Sequence, residues 1–147
     1  MSTLSRFTSY AAAFEETYAD DDWGRLEPFF VEDAVYQVSG LAAPCVLRGR
    51  DAIFRGIKKS LDGFDRKLDG RKIIPTGPPE ASGDRLTLHG MVRYRKAGAP
   101  DLELHATIVV EFEGDRIRHM HDAFRTDDRE AAAWFASHGA GLDAAYV

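Results

Sequence analysis

The first half of the chain has hydrophobic residues at steps of three and four, which is the spacing of one helical face. The first such stripe comprises Leu4, Phe7, Ala11, Phe14 and Tyr18. Ser2 or Thr3 can cap this helix at its amino end. We therefore expect an amphipathic helix near the amino terminus that packs on an apolar surface.

Two further helices are predicted before residue 64. A short stripe follows the acidic run 20–22 and is formed by Trp23, Leu26 and Phe30. Pro28 lies inside it, so this helix is expected to be brief or distorted. The third helix starts at Gly49 and Asp51, where a first-turn carboxylate suits the helix dipole, and ends at Gly63. Its buried stripe is Ile53, Ile57 and Leu61.

Alternation of apolar and polar residues predicts strands elsewhere. The segment FFVEDAVYQV at 29–38 is a strand with one polar aromatic residue, Tyr36. Another strand is expected near 67–74, and the Pro- and Gly-rich segment 75–84 is expected to be a loop.

Three more strands are expected in the second half of the chain. Two half-buried antiparallel strands, near 86–95 and 102–112, are joined by KAGAP. The tight turn EGDR then leads into a last strand that ends at Phe124. A final helix is expected over about 128–138, stopped by Gly139. Its suggested cap is Thr126 or Asp127.

The order of these elements predicts an α+β fold, in which helices cover one face of a strongly bent antiparallel sheet. The length suits one domain over residues 1–147, with a core at 4–125 and a C-terminal helical extension at 126–147. A sheet that curls around a helix encloses a cone, whose open end is a natural small-molecule pocket.

Composition and charge limit the classes of molecule that the protein is expected to bind. The formal net charge of -5 repels nucleic acid and anionic membranes. Cys45 is the only cysteine, in an expected loop at 41–47, so no internal disulfide forms and a reducing compartment is the natural setting. The sequence shows no apolar run of membrane length and no signal-peptide core. We expect a cytoplasmic protein that binds neither nucleic acid nor membrane.

Three segments together resemble the nuclear transport factor 2-like superfamily, which includes SnoaL-like polyketide cyclases, ketosteroid isomerases and limonene epoxide hydrolases. They are FFVEDAVYQV, RGRDAI at the start of the third helix, and GDRIRHMHDAF at the end of the sheet. The resemblance covers the chain from Leu4 to Phe124 and implies a cone-shaped, cystatin-like sheet. It specifies the fold far better than the reaction.

The catalytic residues of two enzyme types in this superfamily match this sequence to different extents. Ketosteroid isomerases have a tyrosine on the first helix and a carboxylate after the first strand, positions that here are Phe14 and Val38. Neither residue can transfer a proton. The epoxide hydrolases' tyrosine and last-strand aspartate fall on Tyr36 and Asp122.

Other parts of the epoxide hydrolase set are missing. Their asparagine becomes Val38, and their Arg-x-Asp pair falls on His89 and Met91. SnoaL-like cyclases also use a last-strand aspartate as acid or base, which the resemblance again places at Asp122.

Asp122 is a candidate acid or base on its own surroundings as well. Its neighbours include Met120 and Phe124, and a carboxylate that faces an apolar cavity has a raised pKa, which suits proton transfer. Alternatively, it binds a backbone N–H or Arg125 at the surface. A plain register between the last two strands would point Asp122 outward, whereas a β-bulge near His119 or Met120 would turn it inward. The resemblance favours the bulge.

The histidines have several possible roles. His89 is expected to pair with Thr107, about 10 Å from Asp122, and could reach it through water; a solvent-facing His89 is the alternative. His119 and His121 lie on one side of a strand, but with His105 they converge poorly for zinc. We expect no metal site and no cofactor.

Two functions are consistent with these residues. One is a SnoaL-like enzyme in which Asp122, with His89 or water, moves a proton on a hydrophobic carbonyl- or epoxide-bearing molecule while Tyr36 holds its oxygen. The other is a non-catalytic ligand-binding or dimerisation module, in which Tyr36 is a core aromatic residue. The predicted substrate pocket comprises Phe14, Tyr18, Trp23, Val38, Ile57, Leu104, Ile108, Met120 and Phe124.

A homodimer is also expected. Helices cover only one face of the predicted sheet, and the other face carries the mixed surface of Val109, His105 and Thr107. Such a half-apolar surface is typical of an interface between copies.

Overall fold

The computed structural model describes residues 1–40, 44–125 and 127–147. These residues form a seven-stranded sheet, with helices before, between and after its strands in the sequence. The helices are α1 (Thr3–Asp20), α2 (Arg50–Gly63) and α3 (Arg129–His138). Two short 3-10 helices span Trp23–Phe29 and Asp65–Lys67. The strands are β1 (Phe30–Ser39), β2 (Cys45–Arg48), β3 (Gly70–Pro75), β4 (Glu80–Ser82), β5 (Arg85–Arg95), β6 (Leu102–Glu113) and β7 (Arg116–Phe124).

The helix ends follow local chemistry. The Ser2 side chain caps α1 by accepting a hydrogen bond from the Ser5 backbone N–H at 3.0 Å. The distorted helix around Pro28 is of the 3-10 type, as expected. α2 begins after Gly49, whose φ of 91° favours glycine. Asp128 caps α3, so the proposal of Asp127 is wrong; Thr126 lies outside the described residues.

The strands are ordered β2-β1-β7-β6-β5-β3, and β4 pairs with β5 beyond the end of β3. All pairs are antiparallel except β1 and β7, which run parallel. The expected curved sheet is thus antiparallel for the most part, and the parallel pair is a correction. It arises because β1 and β7 are remote in sequence, so no hairpin turn sets their direction.

Two short strands were not predicted. β2 occupies part of the expected loop at 41–47, of which residues 41–43 lie outside the described residues, and β4 lies in the expected loop at 75–84. Among the described residues, β2 pairs with β1 and β4 pairs with β5, so both lie at edges of the sheet. Strands of four and three residues carry too little alternation to be recognised, and their flanking prolines suit sheet edges.

A β-bulge sets the direction of the last strand. The pairing of β6 with β7 shifts by one residue after Glu111, which leaves Arg118 as an extra residue beside His119. Asp122 then pairs with Ile108 and shares its concave face of the sheet. The expected bulge near His119 is therefore confirmed.

The concave face is covered by α1 and α2, and α3 closes the end of the β5–β6 hairpin. The Trp134 indole of α3 is 5% exposed and donates a hydrogen bond to the Pro100 carbonyl at 2.7 Å. A main apolar core lies between α1, α2 and the sheet, and a smaller one lies under α3. Between the two cores the packing leaves a cavity.

Candidate active site

The cavity has a volume of 510 Å³ and lies between the concave sheet face, α1, α2 and the C-terminal segment. That volume is in the usual range for small-molecule sites. Most of its lining is aliphatic or aromatic. The polar side chains in the lining are grouped at two places, one around Asp122 and the other around Arg71.

Asp122 and Tyr36 form the first polar group. Their strands run parallel, with Val38 opposite Asp122 and Tyr36 opposite Met120. Because β-strand side chains alternate, Tyr36 and Asp122 point to the same face. The Tyr36 hydroxyl donates a hydrogen bond to the Asp122 carboxylate. The structure thus brings together two of the three catalytic residues proposed from the sequence.

Asp122 is half-buried and lines the cavity. Burial disfavours the charged form and raises the pKa of Asp122 to about 6, against a smaller lowering by the Tyr36 hydrogen bond. Burial likewise raises the pKa of Tyr36 well above 10.0, and the Asp122 charge adds to this. At neutral pH the pair therefore combines a protonated phenol with a carboxyl group that titrates near physiological pH.

Two more tyrosines lie near this pair. Tyr10 of α1 is 6% exposed, lines the cavity and packs edge-to-face on Phe30. Burial raises its pKa, and the Asp122 charge raises it further. Tyr146, near the C-terminus, lines the cavity with its ring centroid 5.8 Å from that of Tyr36. Phenol groups thus approach Asp122 from a helix, a strand and the C-terminal segment.

Sequence reasoning missed both of these tyrosines, for different reasons. Tyr10 is three residues after Phe7 and four before Phe14, so the helical stripe of α1 already places it on the buried face. That signal was available. Tyr146 lies in a segment without regular secondary structure, so no periodicity indicates where its side chain points.

The second polar group is an ion-pair cluster in the cavity wall. Asp65 is 8% exposed and accepts a hydrogen bond from the Tyr94 hydroxyl at 3.2 Å. Arg71 Nε lies 3.2 Å from the same Asp65 oxygen, and Arg71 Nη1 lies 2.9 Å from Glu15 Oε1. Burial raises the pKa of Asp65, and the charge of Arg71 opposes that rise. This cluster gives the cavity a charged wall that the sequence did not indicate.

His89 does not join the Asp122–Tyr36 pair. Its imidazole lies 3.2 Å from Glu80 Oε2 and 3.4 Å from Thr107 Oγ1. Thr107 neighbours Ile108, which lines the cavity, so strand alternation directs Thr107 and the His89 ring to the outer face. His89 contributes to the edge of the cavity, and its side chain is 38% exposed. The pairing of His89 with Thr107 is confirmed, but the proposed link to Asp122 is corrected.

Most of the residues proposed for the pocket line the cavity. They are Phe14, Val38, Ile57, Leu104, Ile108, Met120 and Phe124. Tyr18 and Trp23 do not, which corrects the prediction. The Tyr18 ring packs under the guanidinium groups of Arg66 and Arg71, and Trp23 packs against Phe14 and Phe54, so both support the wall from behind.

The other titratable candidates lie outside the cavity. His121 Nε2 is 2.7 Å from Ser39 Oγ. His121 precedes Asp122 and Ser39 follows Val38, so both side chains point away from the cavity. Across residues 1–40, 44–125 and 127–147, no three His, Cys, Asp or Glu side chains converge as a metal site would require. Burial raises the pKa of the Cys45 thiol, which disfavours its reactive thiolate form.

Residues 11–120 match the SnoaL-like domain family, which is about three quarters of the chain. The chain belongs to this family. The matched residues include Tyr36 and most of the sheet, while Tyr10 and Asp122 lie just outside them. The chain has no significant match among curated protein sequences.

Solved structures share the fold of this SnoaL-like protein. A proposed SnoaL-like polyketide cyclase from Shewanella putrefaciens has a TM-score of 0.64 at 12% identity, over 89% of this chain and 86% of that chain. A protein with a ketosteroid isomerase-like fold from Catenulispora acidiphila, in complex with trimethylamine, has a TM-score of 0.61 at 18% identity. The alignment covers 92% of this chain and 94% of that chain. An LEH-like epoxide hydrolase from M. tuberculosis has a TM-score of 0.58 at 17% identity, over 94% of this chain and 90% of that chain.

These matches confirm the superfamily resemblance and the α+β fold with its added C-terminal helix. At such low identity they show the fold and leave the reaction to the residues of the cavity. Within the described parts of the chain, no helix is long and apolar enough to cross a bilayer.

Proposed function

We propose that this SnoaL-like protein is a cofactor-independent acid–base catalyst that moves a proton on a hydrophobic carbonyl compound. The observation that carries the proposal is the half-buried Asp122 carboxyl group, hydrogen-bonded to Tyr36 and facing an apolar cavity. A base with a pKa of about 6 is ionised at pH 7 and still releases its proton readily, which suits both directions of transfer.

The cavity also supports a role for the substrate oxygen. A carbon acid becomes more acidic when its carbonyl oxygen accepts hydrogen bonds as negative charge develops on it. The phenols of Tyr36 and Tyr10 lie at the cavity surface and stay protonated far above neutral pH. In this mechanism Asp122 removes a proton from the carbon next to the carbonyl group, the Tyr10 phenol donates a hydrogen bond to the enolate oxygen, and Asp122 returns the proton. The single O–H group of Tyr36 is donated to the Asp122 carboxylate, so it turns to the enolate oxygen as Asp122 takes up the proton.

The proposed substrate is largely apolar and of modest size. The seven predicted pocket residues that line the cavity are all aliphatic, aromatic or thioether side chains. Burial of apolar surface would provide most of the binding free energy, at about 25 cal/mol per Å². An epoxide is a less suitable substrate. The sequence resembles the epoxide hydrolases, but Val38, His89 and Met91 occupy the positions at which those enzymes have their water-activating groups.

Proton exchange tests this function without knowledge of the product. The protein is incubated in D2O with a panel of hydrophobic cyclic ketones, and deuterium uptake next to the carbonyl group is followed by NMR. We expect accelerated exchange for at least one ketone, loss of that acceleration in Asp122→Asn, and a partial loss in Tyr36→Phe. His89→Gln should keep the wild-type rate because its ring lies on the outer face.

The outcomes separate the two functions. Exchange that survives in Asp122→Asn would contradict the proposal. Ketones that bind, seen as line broadening, but never exchange in the wild-type protein would instead favour a non-catalytic ligand-binding module.

We also propose that the outer face of the sheet forms a homodimer interface. Val109, Thr107 and His105 are half-buried on this face, and the first residues of α3, Arg129 and Glu130, lie beside it at His105. Light scattering should give twice the monomer mass of 16.3 kDa. Val109→Glu should shift the protein to monomer, because it buries a charge in such an interface. A wild-type protein that is monomeric at millimolar concentration would contradict this.

A further inference from the structure

The segment after α3 runs back along α2 and is held there by several contacts. We call residues 139–147 the C-terminal strap. The Asp143 backbone N–H donates to the Gly63 carbonyl at 2.9 Å, and the Ser60 hydroxyl donates to the Ala144 carbonyl at 2.7 Å. Lys59 and Lys67 of the same region also contact the strap, at Asp143 Oδ2 and the Gly141 carbonyl respectively.

The strap lies in a groove of small residues on α2. Gly56, Ser60 and Gly63 follow at steps of four and three, so they share one helical face. A Cβ atom added to Gly63 would lie 2.2 Å from the Asp143 carbonyl oxygen, and one added to Gly56 would lie 2.4 Å from Leu47 Cδ1 and 3.1 Å from the Tyr146 carbonyl oxygen. The backbone of the strap therefore approaches α2 more closely than a side chain would permit.

The position of the strap on α2 places Tyr146 in the candidate active site. The Tyr146 ring packs edge-to-face on the Tyr36 ring with centroids 5.8 Å apart, and both residues line the cavity. Ala144 of the strap and Phe135 of α3 line it as well. All three follow residue 120, where the match to the family ends.

We infer that Tyr146 is a positioning residue of the Asp122–Tyr36 pair, held by the C-terminal strap in the glycine groove of α2. Its ring closes one wall of the cavity against water, and its hydroxyl group adds a polar neighbour to the Tyr36 phenol. The importance of Tyr146 for turnover rests on the proposed function, but its placement has consequences that need no substrate.

The pKa of Asp122 reports both effects of Tyr146. The titratable groups around Asp122 are Tyr36 of β1, Tyr10 of α1, Cys45 of β2 and Tyr146 of the strap. The Tyr36 hydrogen bond favours the charged form of Asp122, and the Tyr146 hydroxyl acts on Asp122 through the Tyr36 phenol, whereas water exclusion disfavours the charged form. Loss of the Tyr146 hydroxyl alone and loss of the whole strap should therefore move this pKa in opposite directions.

The test measures the Asp122 pKa by carboxyl carbon NMR in full-length variants. Tyr146→Phe keeps the ring and removes the hydroxyl group, and we expect the pKa to rise by about half a pH unit. Gly63→Ala pushes the strap off α2, admits water and should lower the pKa toward 3.8 by about one pH unit. Amide exchange at Asp143 should become fast in Gly63→Ala alone.

A matched glycine substitution controls for the change in helix propensity. Gly24→Ala places a Cβ atom 3.5 Å from Asp22 Oδ1, an ordinary contact, and should leave both the pKa and the Asp143 amide unchanged. An unchanged Asp122 pKa in Tyr146→Phe would overturn the inference, as would slow Asp143 exchange in Gly63→Ala. Opposite pKa changes together with no ketone exchange in the wild-type protein would support the placement of Tyr146 and reject only the proposed reaction.

Discussion

Asp122→Asn should make the folded protein more stable at pH 8 by about 2 kcal/mol, although it removes the proposed catalytic group. Asp122 has a pKa of about 6 in the folded state and an ordinary value of 3.8. A difference of about two pH units corresponds to about 3 kcal/mol of folding free energy. Asparagine at this position recovers about 1 kcal/mol less than that, because its NH2 group faces the apolar cavity without a hydrogen-bond acceptor.

The sign of the effect depends on pH. Because the folded state binds the Asp122 proton more tightly, the stability that this proton contributes is fully present below pH 3.8 and is lost as the pH rises through about 6. Wild type and Asp122→Asn should therefore differ most at pH 8 and least near pH 4. Urea unfolding at the two pH values measures this, and the comparison with wild type cancels the pH effects that the two proteins share.

Asp62→Asn is a control of the opposite kind. Asp62 bonds Lys58 and Arg66 at the surface, and these bonds lower its pKa. Stability from a lowered pKa is present above the ordinary pKa and is lost as the pH falls, so Asp62→Asn should weaken the protein at pH 8. A loss of stability in Asp122→Asn at pH 8 would show that Asp122 is not a desolvated acid.

Arg71→Met should destabilise the protein by about 3 kcal/mol at pH 8, because it leaves a buried charge on Asp65 without its cation. The side chains of Asp65 and Arg71 are 10% and 14% exposed, so water screens them poorly. Methionine keeps an unbranched apolar side chain against Phe14 and Tyr18, where the Arg71 guanidinium now packs. The loss should therefore come from charge rather than from a cavity.

The cost of Arg71→Met should also depend on pH. Burial already raises the pKa of Asp65, and without the opposing charge of Arg71 it rises further. The stability of the variant should thus fall more steeply than that of wild type as the pH rises from 5 to 8. Adding Asp65→Asn to Arg71→Met should recover most of the lost free energy of unfolding, since it removes the unpaired charge.

An exposed pair provides the matched control. Arg93 and Glu103 bond at 3.0 Å with both side chains 43% exposed. Arg93→Met should cost less than about 1 kcal/mol, as is typical of surface ion pairs. Equal losses in Arg93→Met and Arg71→Met would contradict a special role for the buried pair. Urea unfolding of these three variants and the wild type gives the comparison.

The sequence predicted part of the candidate site. Tyr36 was recognisable as the polar aromatic residue of its strand and Asp122 as an acid between Met120 and Phe124, and the family resemblance supported the bulge that turns Asp122 inward. Tyr10 was also within reach, since it lies on the apolar stripe of α1. Arg71 was not, because a basic residue beside Asp65 and Asp69 looks like an ordinary solvated cluster.

Local patterns alone determined which face each helix and strand presents, because side chains repeat every 3.6 residues in a helix and every two in a strand. They established the three helical stripes, the β5–β6 hairpin and the final helix. Non-local contacts decided the rest. The parallel pairing of β1 with β7 joins Tyr36 to Asp122, which are 86 residues apart, and no local periodicity encodes that pairing. The same holds for Tyr146, which reaches the cavity only because two glycines of α2 permit a second backbone to lie against the helix.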